Sequence, residues 1–371
     1  MRRTPSPAPL ALGFAFAFAL AGCGQPDQPF LDATPDTQAM QMELTGDSVS
    51  EGLATTSDGD WGASAQALTG SVPEYLQHTR DAIRALNQAV AAVLAPIDEA
   101  VAATRAQTPA FDVRVWGPHD HGNATFLFTM KRLALGTFGW KADVKPLGAA
   151  DSAYVTVMGG VFQQGDLPHH GRGVMGVDLD KLASVDSDFH GNGQMLVGFA
   201  HVAGFKVLAY GLHNFSPDVT AFEPIDAIFS GWRGPDGAAR VRLAAWTNLA
   251  DSPTPAKELV VLRSHWLPGV GGRADGVATS GDVPAGHAYV ANSCWDRNLS
   301  GVDGFYVLRD CSENNLDINC TVLKTAGQLS NCAPGLDEDL PSADPMDPTL
   351  EPGAPAQPTI PSAMPNGMSG N

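Results

Sequence analysis

Histidine is the residue type whose spacing in this chain most suggests chemistry. The chain has ten histidines, and four of them form two short clusters, His119 with His121 and His169 with His170. Imidazoles two positions apart on an extended chain lie on the same side and could share a metal ion. Solvated loop histidines explain the same pattern, and we favour that interpretation. The spacing alone does not tell whether the two clusters meet.

Recognisable catalytic machinery is missing from the rest of the sequence. There is no Gly-x-Ser-x-Gly nucleophile elbow, no His-Glu-x-x-His pair and no phosphate-binding loop. Arg240 and Arg242 would share one strand face near Trp232 and Trp246, where bridging to acidic residues explains them better than gripping a ligand. We therefore expect no catalytic residue, no metal site and no cofactor.

Cysteine placement predicts covalent links near the carboxy terminus. Four cysteines, an even number, fall within about 40 residues: Cys294, Cys311, Cys320 and Cys332. None of them forms a close Cys-x-x-Cys pair, which is the spacing that would favour a zinc site. In an exported chain this pattern indicates two disulfides. Of the three possible pairings we favour Cys294–Cys311 and Cys320–Cys332, because the first would join two predicted strands and the second would close a short loop.

The amino terminus has the pattern of an export signal. Arg2 and Arg3 precede a short apolar run over residues 10–20, which is too short to span a bilayer comfortably. The run ends in Leu20-Ala21-Gly22-Cys23, which resembles the lipobox of bacterial lipoproteins. The resemblance implies cleavage before Cys23, a diacylglyceryl group on its thiol, and attachment to a membrane. Gly24, rather than Asp, follows the cysteine, which favours the outer membrane of a Gram-negative envelope.

Charge and composition divide the mature chain into three parts. The net charge is −18, and residues 23–70 and 333–371 carry acidic residues without any Lys or Arg. Both segments are poor in large apolar residues, so we predict a disordered acidic tether and a disordered Pro-rich acidic tail. Residues 71–332 remain as one folded domain. The chain has no basic patch with interleaved aromatic residues, which argues against nucleic-acid binding.

The elements of that domain follow from its apolar periodicity. Apolar residues recur at three- and four-residue steps from Ile83 to Val101, which predicts an amphipathic helix that Pro96 should kink or divide. After Pro109 the period changes to two, with about a dozen strands and short connections. Hairpin signals such as Pro235-Asp236-Gly237 and the turn at Gly204 predict a mainly β fold, a large antiparallel meander curled into a barrel, half-barrel or sandwich.

These observations predict a membrane-anchored envelope lipoprotein whose β-rich domain binds or scaffolds an envelope partner and is not an enzyme. One alternative is a carrier that holds an apolar, lipid-like ligand in the curved sheet. Another is a metal-dependent hydrolase built on the histidine loops. An apolar cavity on the concave face would favour the carrier, converging His and Asp side chains the hydrolase, and a filled interior the scaffold.

Overall fold

Fifteen strands in one antiparallel sheet dominate the structure, a computed structural model. It describes residues 27–35, 37–41, 74–165, 167, 170–202, 204–220, 223–248, 256–296, 304–313 and 320–332. Within these ranges the helices are α1 (Gln28–Leu31), α2 (Thr37–Met40), α3 (Glu74–Ala103) and α4 (Leu179–Val185). The strands are β1 (Gln107–Ala110), β2 (Val113–His121), β3 (Ala124–Ala134), β4 (Thr137–Pro146), β5 (Val155–Gln164), β6 (Gly171–Asp178), β7 (Asn192–Val202), β8 (Phe205–Ser216), β9 (Ile225–Arg233), β10 (Ala239–Thr247), β11 (Glu258–Leu267), β12 (Gly271–Thr279), β13 (His287–Asp296), β14 (Phe305–Ser312) and β15 (Thr321–Gly327).

The strands lie side by side in their order along the chain, from β1 at one edge to β15 at the other. Every neighbouring pair is antiparallel, because short turns can return the chain only to an adjacent antiparallel position. The prediction of a mainly β antiparallel meander is confirmed. The described strands form an open sheet and not a closed barrel. Since α3 contacts β2 and β3 and also β11 and β12, the sheet curves around this helix.

Helix α3 begins the domain and fills the concave side of the sheet. The apolar stripe predicted from the sequence is buried there, including Ile83, Val90, Val93 and Ile97. The helix continues through Pro96 without a break, so of the two predicted effects of this proline, a kink or a division, the division is wrong. By length and composition the span Ile83–Ala103 could also cross a membrane. Its apolar face is instead used against the sheet, as expected for a core helix.

Two hairpin turns show how the sequence directs the meander. Gly204 between β7 and β8 has a φ of +79°, and Gly237 between β9 and β10 has a φ of +83°, a region in which side chains other than glycine are strained. In the second turn, the Asp236 side chain accepts a hydrogen bond from the Ala238 amide at 3.1 Å. Both turns confirm the predicted hairpin positions.

Residues 27–41 correct the predicted tether. They contribute α1 and α2, and Phe30, Ala33 and Met40 are fully buried in the main core. The Phe30 ring lies 5.3 Å from the Phe138 ring, and Tyr210 donates a hydrogen bond to the Met40 carbonyl. The prediction of disorder is therefore wrong for these residues. A few well-placed apolar side chains suffice when a preformed concave surface receives them, although the segment's average composition is polar.

The remaining boundaries fall partly outside the described residues. The signal peptide over residues 1–22, Cys23, most of the predicted tether and the tail over residues 333–371 all lie there, and their predictions stay predictions. The described domain begins at Asp27 and ends at Cys332, with the gaps given above.

The four carboxy-terminal cysteines form two bridges, but in a different pairing from the predicted one. Cys294 is bonded to Cys332 and Cys311 to Cys320, rather than Cys294 to Cys311 and Cys320 to Cys332. The register explains the correction. Cys294 lies opposite Phe305 and Cys311 lies opposite Ala288, which separates the two cysteines by six strand positions, about 20 Å. Cys311 instead neighbours Cys320 across the β14–β15 hairpin.

Candidate functional site

The first histidine cluster forms a clasp between the sheet and α3. His119 and His121 on β2 both reach the same carboxylate oxygen of Glu99 on α3, at 3.3 Å from His119 Nε2 and 2.9 Å from His121 Nδ1. These hydrogen bonds, His121 first and His119 second, lower the pKa of Glu99. The prediction that the two imidazoles lie on one side of an extended chain therefore matches the geometry, but their shared partner is a carboxylate.

The second cluster lies at the other end of the strands. The His170 ring, at the start of β6, stacks at 3.8 Å on the His201 ring of β7, whereas His121 is next to the β2–β3 turn. The two loops named by the sequence therefore do not meet; His169 lies outside the described residues. In the described part of the chain, no three His, Cys, Asp or Glu side chains are arranged to hold a metal ion.

Arginines form a second polar group, on the convex side of β10–β12. Arg240, His265 and Arg273 are aligned across three neighbouring strands, and Arg242, Arg263 and Asp275 form the next row. Burial and then the nearby Arg273 charge lower the pKa of His265. Arg240 and Arg242 do lie on one face, with Arg240 opposite Trp232.

The buried ion pair of this group lies within β12. Arg273 Nε donates to both Asp275 oxygens at 3.0 and 3.1 Å. Asn292 donates to Asp275 at 2.9 Å, and Arg309 donates to Asn292 at 2.7 Å. This network crosses β12, β13 and β14. It surrounds the Asp275 carboxylate with hydrogen-bond donors, as a buried carboxylate requires.

In the described part of the chain, the concave face is packed with apolar side chains. Helix α3 and residues 27–41 pack against it together with a run of aromatic side chains, Trp116, Phe128 and Trp140, at ring distances of 5.5 and 5.9 Å. A shallow depression of about 530 Å³ lies over β4–β8 and is lined mainly by small and β-branched residues such as Val161, Val174 and Val207. It is open to solvent and does not enclose a ligand.

The two ends of the sheet have different surfaces. In a meander, all turns from an odd to an even strand lie at one end and all other turns at the opposite end. We call the first end the Phe111 rim and the second the His121 rim. Large exposed apolar side chains mark five turns of the Phe111 rim: Phe111, Leu133, Leu135, Leu167, Val202, Phe205, Leu267 and Val270. Phe111 is 85 % exposed and Leu135 is 98 % exposed.

Charge divides the two rims as well. Beside the turns of the Phe111 rim lie five described cations, Arg132, Arg172, Lys206, Arg233 and Arg240, and three described acidic residues, Asp27, Asp112 and Asp236. At the His121 rim the described charges are mostly acidic: Asp120, Asp151, Asp180, Asp186, Asp188, Asp218, Glu223, Asp282 and Glu313, with Lys145, Lys181 and Lys257. The chain is strongly acidic in sum, so a cationic rim is a departure from its average.

The amino-terminal segment begins at the Phe111 rim. Arg114 Nε donates to the Asp27 carboxylate at 2.5 Å, and Arg114 Nη1 donates to the Phe111 carbonyl at 3.2 Å. The Arg114 and Arg132 guanidinium groups lie 4.5 and 4.9 Å from the centre of the Phe30 ring. One arginine therefore joins the start of the described chain to the most amino-terminal turn of this rim.

Known proteins add no family to this description: family models, curated proteins and solved structures give no match to the chain. Sequence reasoning missed the rim, since an isolated exposed leucine or phenylalanine is ordinary on a protein surface. Phe111 and Leu135 lie at turns of the structure, where polar residues and glycine are usual, but the sequence pattern placed Phe111 in a strand.

Proposed function

We propose that this protein is a bacterial envelope lipoprotein, anchored by lipid on Cys23, whose β domain is a non-enzymatic scaffold. The observation that carries the proposal is the lipobox Leu20-Ala21-Gly22-Cys23 after a charged and apolar leader. The position of Asp27 supports it further, because the described domain starts four residues after that cysteine. A lipid anchor needs only such a short connection to hold a domain at a membrane.

The filled interior favours a scaffold over a carrier of apolar ligands. A carrier needs a cavity of about 300–1,000 Å³ that buries most of its ligand. Here α3 and Phe30 already occupy the concave face, and displacing them would expose a large apolar surface. The envelope partner would then bind the outer surface of the domain.

The hydrolase alternative has less support. Both imidazoles of the first cluster are engaged by Glu99, and the second cluster lies at the far rim. The Glu99 carboxylate orients the two histidines, and no three His, Cys, Asp or Glu side chains of the described residues are arranged to hold a metal ion. The arrangement is better explained as a clasp that fixes α3 to β2.

The anchor is tested with Cys23→Ser in the native host. We expect the wild type to partition into the detergent phase and its amino-terminal peptide to carry the mass of a diacylglyceryl group, and the variant to lose both properties. Gly24→Ser, which leaves the lipobox intact, is the matched control and should behave as wild type. An unmodified Cys23 peptide in the wild type would refute the lipoprotein proposal. Membrane fractionation then tests the outer-membrane location.

A further inference from the structure

The distance between Cys23 and Asp27 limits how far the domain can stand from an anchoring membrane. Four residue steps span at most about 14 Å even when fully extended. Asp27 is fixed to Arg114, which also holds the Phe111 carbonyl. With lipid on Cys23, the bilayer surface and the Phe111 rim are therefore neighbours. A tether of 47 residues, as the sequence alone suggests, would have allowed the domain to turn freely.

The chemistry of the Phe111 rim suits a lipid surface. Phe111 and Leu135 are at the tips of adjacent hairpins, since the Asp112 carbonyl accepts a hydrogen bond from the Arg132 amide at 2.8 Å. Side chains of this kind partition into the boundary between headgroups and acyl chains. Arg132 and the other cations beside the turns attract anionic headgroups, each with about 1 kcal/mol near such a surface. The acidic His121 rim would be repelled by the same surface.

We propose that the Phe111 rim rests on the bilayer that holds the anchor, with Phe111 and Leu135 inserted among the lipid headgroups. The inference depends on the proposed lipidation of Cys23 and adds a fixed orientation to it. The domain then presents its acidic His121 rim and its α3 clasp away from the membrane, toward the envelope space. The anchor supplies attachment, and the two hairpin tips supply orientation.

Two tryptophan variants of the lipidated protein test this orientation. Leu135→Trp adds a probe at the Phe111 rim, and Leu147→Trp, whose leucine is 51 % exposed at the opposite end, is the matched control. Each is reconstituted in vesicles of phosphatidylcholine and phosphatidylglycerol that carry bromine on the upper acyl chain. After subtraction of the wild-type emission, we expect quenching of the Leu135→Trp probe to exceed that of the control by about twofold or more.

Replacing the anionic lipid by phosphatidylcholine tests the charge contribution. If the cations of the rim act on headgroups, quenching at Leu135→Trp should fall in the neutral vesicles and also at high salt in the anionic ones. Equal quenching in the two lipids would exclude a role for these cations.

The failure of the inference and the failure of the lipoprotein proposal look different. Equal quenching at residues 135 and 147, with protein still bound to vesicles, would overturn the orientation and leave the anchor intact. Wild-type protein without the lipid mass on Cys23 would overturn the anchor itself. Stronger quenching at Leu147→Trp would show that the His121 rim faces the membrane.

Discussion

The two halves of the sheet are stabilised by different means. From β1 to β10 the concave face packs on α3 and residues 27–41 in one continuous apolar core, which ends at Trp266 of β11. In β11–β15 the remaining apolar clusters are small, around Trp295 and around Val290. That half adds two disulfides and the buried network of Arg273, Asp275 and Asn292.

The difference shows that one antiparallel sheet can be stabilised in two ways. The backbone hydrogen bonds between strands are similar throughout the sheet, so the packing against its faces decides how stable each part is. The main core formed with the helix and the amino-terminal segment ends at β11, although α3 also contacts β12, so less apolar material is left for the strands that follow. Covalent bridges restrict the unfolded chain there, and a network of charge-assisted hydrogen bonds fixes strand register.

The largest expected effect is loss of the Cys294–Cys332 bridge. It closes a loop of 38 residues, so Cys294→Ser with Cys332→Ser should lower the free energy of unfolding by about 4 kcal/mol in the chain-entropy model. The Cys311–Cys320 bridge closes 9 residues and should contribute about 2.5 kcal/mol by the same reasoning. Chemical denaturation of both double variants measures the order.

Hydrogen exchange on the first of these variants sharpens the comparison. Amides of β13–β15 should lose protection before those of β2–β8. Peptide mapping of unreduced protein should recover Cys294 with Cys332 and Cys311 with Cys320. Uniform loss of protection across the sheet would contradict two separate strategies.

The second effect concerns the docked amino-terminal segment. Phe30→Ala removes a fully buried ring from the first core and should cost about 3 kcal/mol. Proteases should then cut within residues 27–41 while β12–β15 stays protected. Gln28→Ala, at an exposed position of the same helix, is the control. If both variants resist proteolysis equally, the segment does not contribute to the first half as described.

The third effect is on the buried ion pair. Asp275→Asn leaves the Arg273 guanidinium with a neutral partner in a buried site, and should cost about 2 kcal/mol. Asp310→Asn breaks a more exposed pair with His287 and should cost no more than about 0.5 kcal/mol. If thermal unfolding shows that the two variants lose the same stability, the buried network contributes no more than an exposed ion pair.

The smallest effect is a pH dependence at His265. Its pKa in the folded protein is lowered from the ordinary 6.5, so below that pH the unfolded chain binds a proton that the folded chain does not. Stability should therefore fall as the pH drops below about 6.5, with a contribution under about 1 kcal/mol because the side chain is partly solvated. Between pH 7.5 and pH 5.5, the melting temperature should fall further for the wild type than for His265→Gln. Parallel losses would argue against the lowered pKa.

Much of the fold was predictable because it depends on local patterns. The stripe from Ile83 to Val101 gave α3, and period-two alternation gave most of the strands. β12 was missed because Gly271, Gly272 and Gly276 interrupt its alternation and both of its faces are buried. β15 was missed because it is exposed and has a weak apolar pattern.

The candidate sites were predictable only in part. Neighbouring residues such as His119 and His121 share a face by local geometry, which the spacing predicted, but the sequence did not predict that their common partner is a carboxylate. Glu99 comes from another element and is selected by packing. The same reason explains the disulfides: an even cysteine count gives two bridges, but the register of β13 and β14 decides which cysteines meet.

By itself the sequence determined the helix, the antiparallel meander, its main turns and the presence of a lipobox-like leader, because periodicity, turn residues and short motifs act over a few positions. Tertiary structure alone decided the disulfide pairing, the separation of the histidine loops and the docking of residues 27–41. It also decided that Phe111 and Leu135 share a rim with Asp27. These relations join residues far apart in the chain, and only strand register and packing on a common core set such distances.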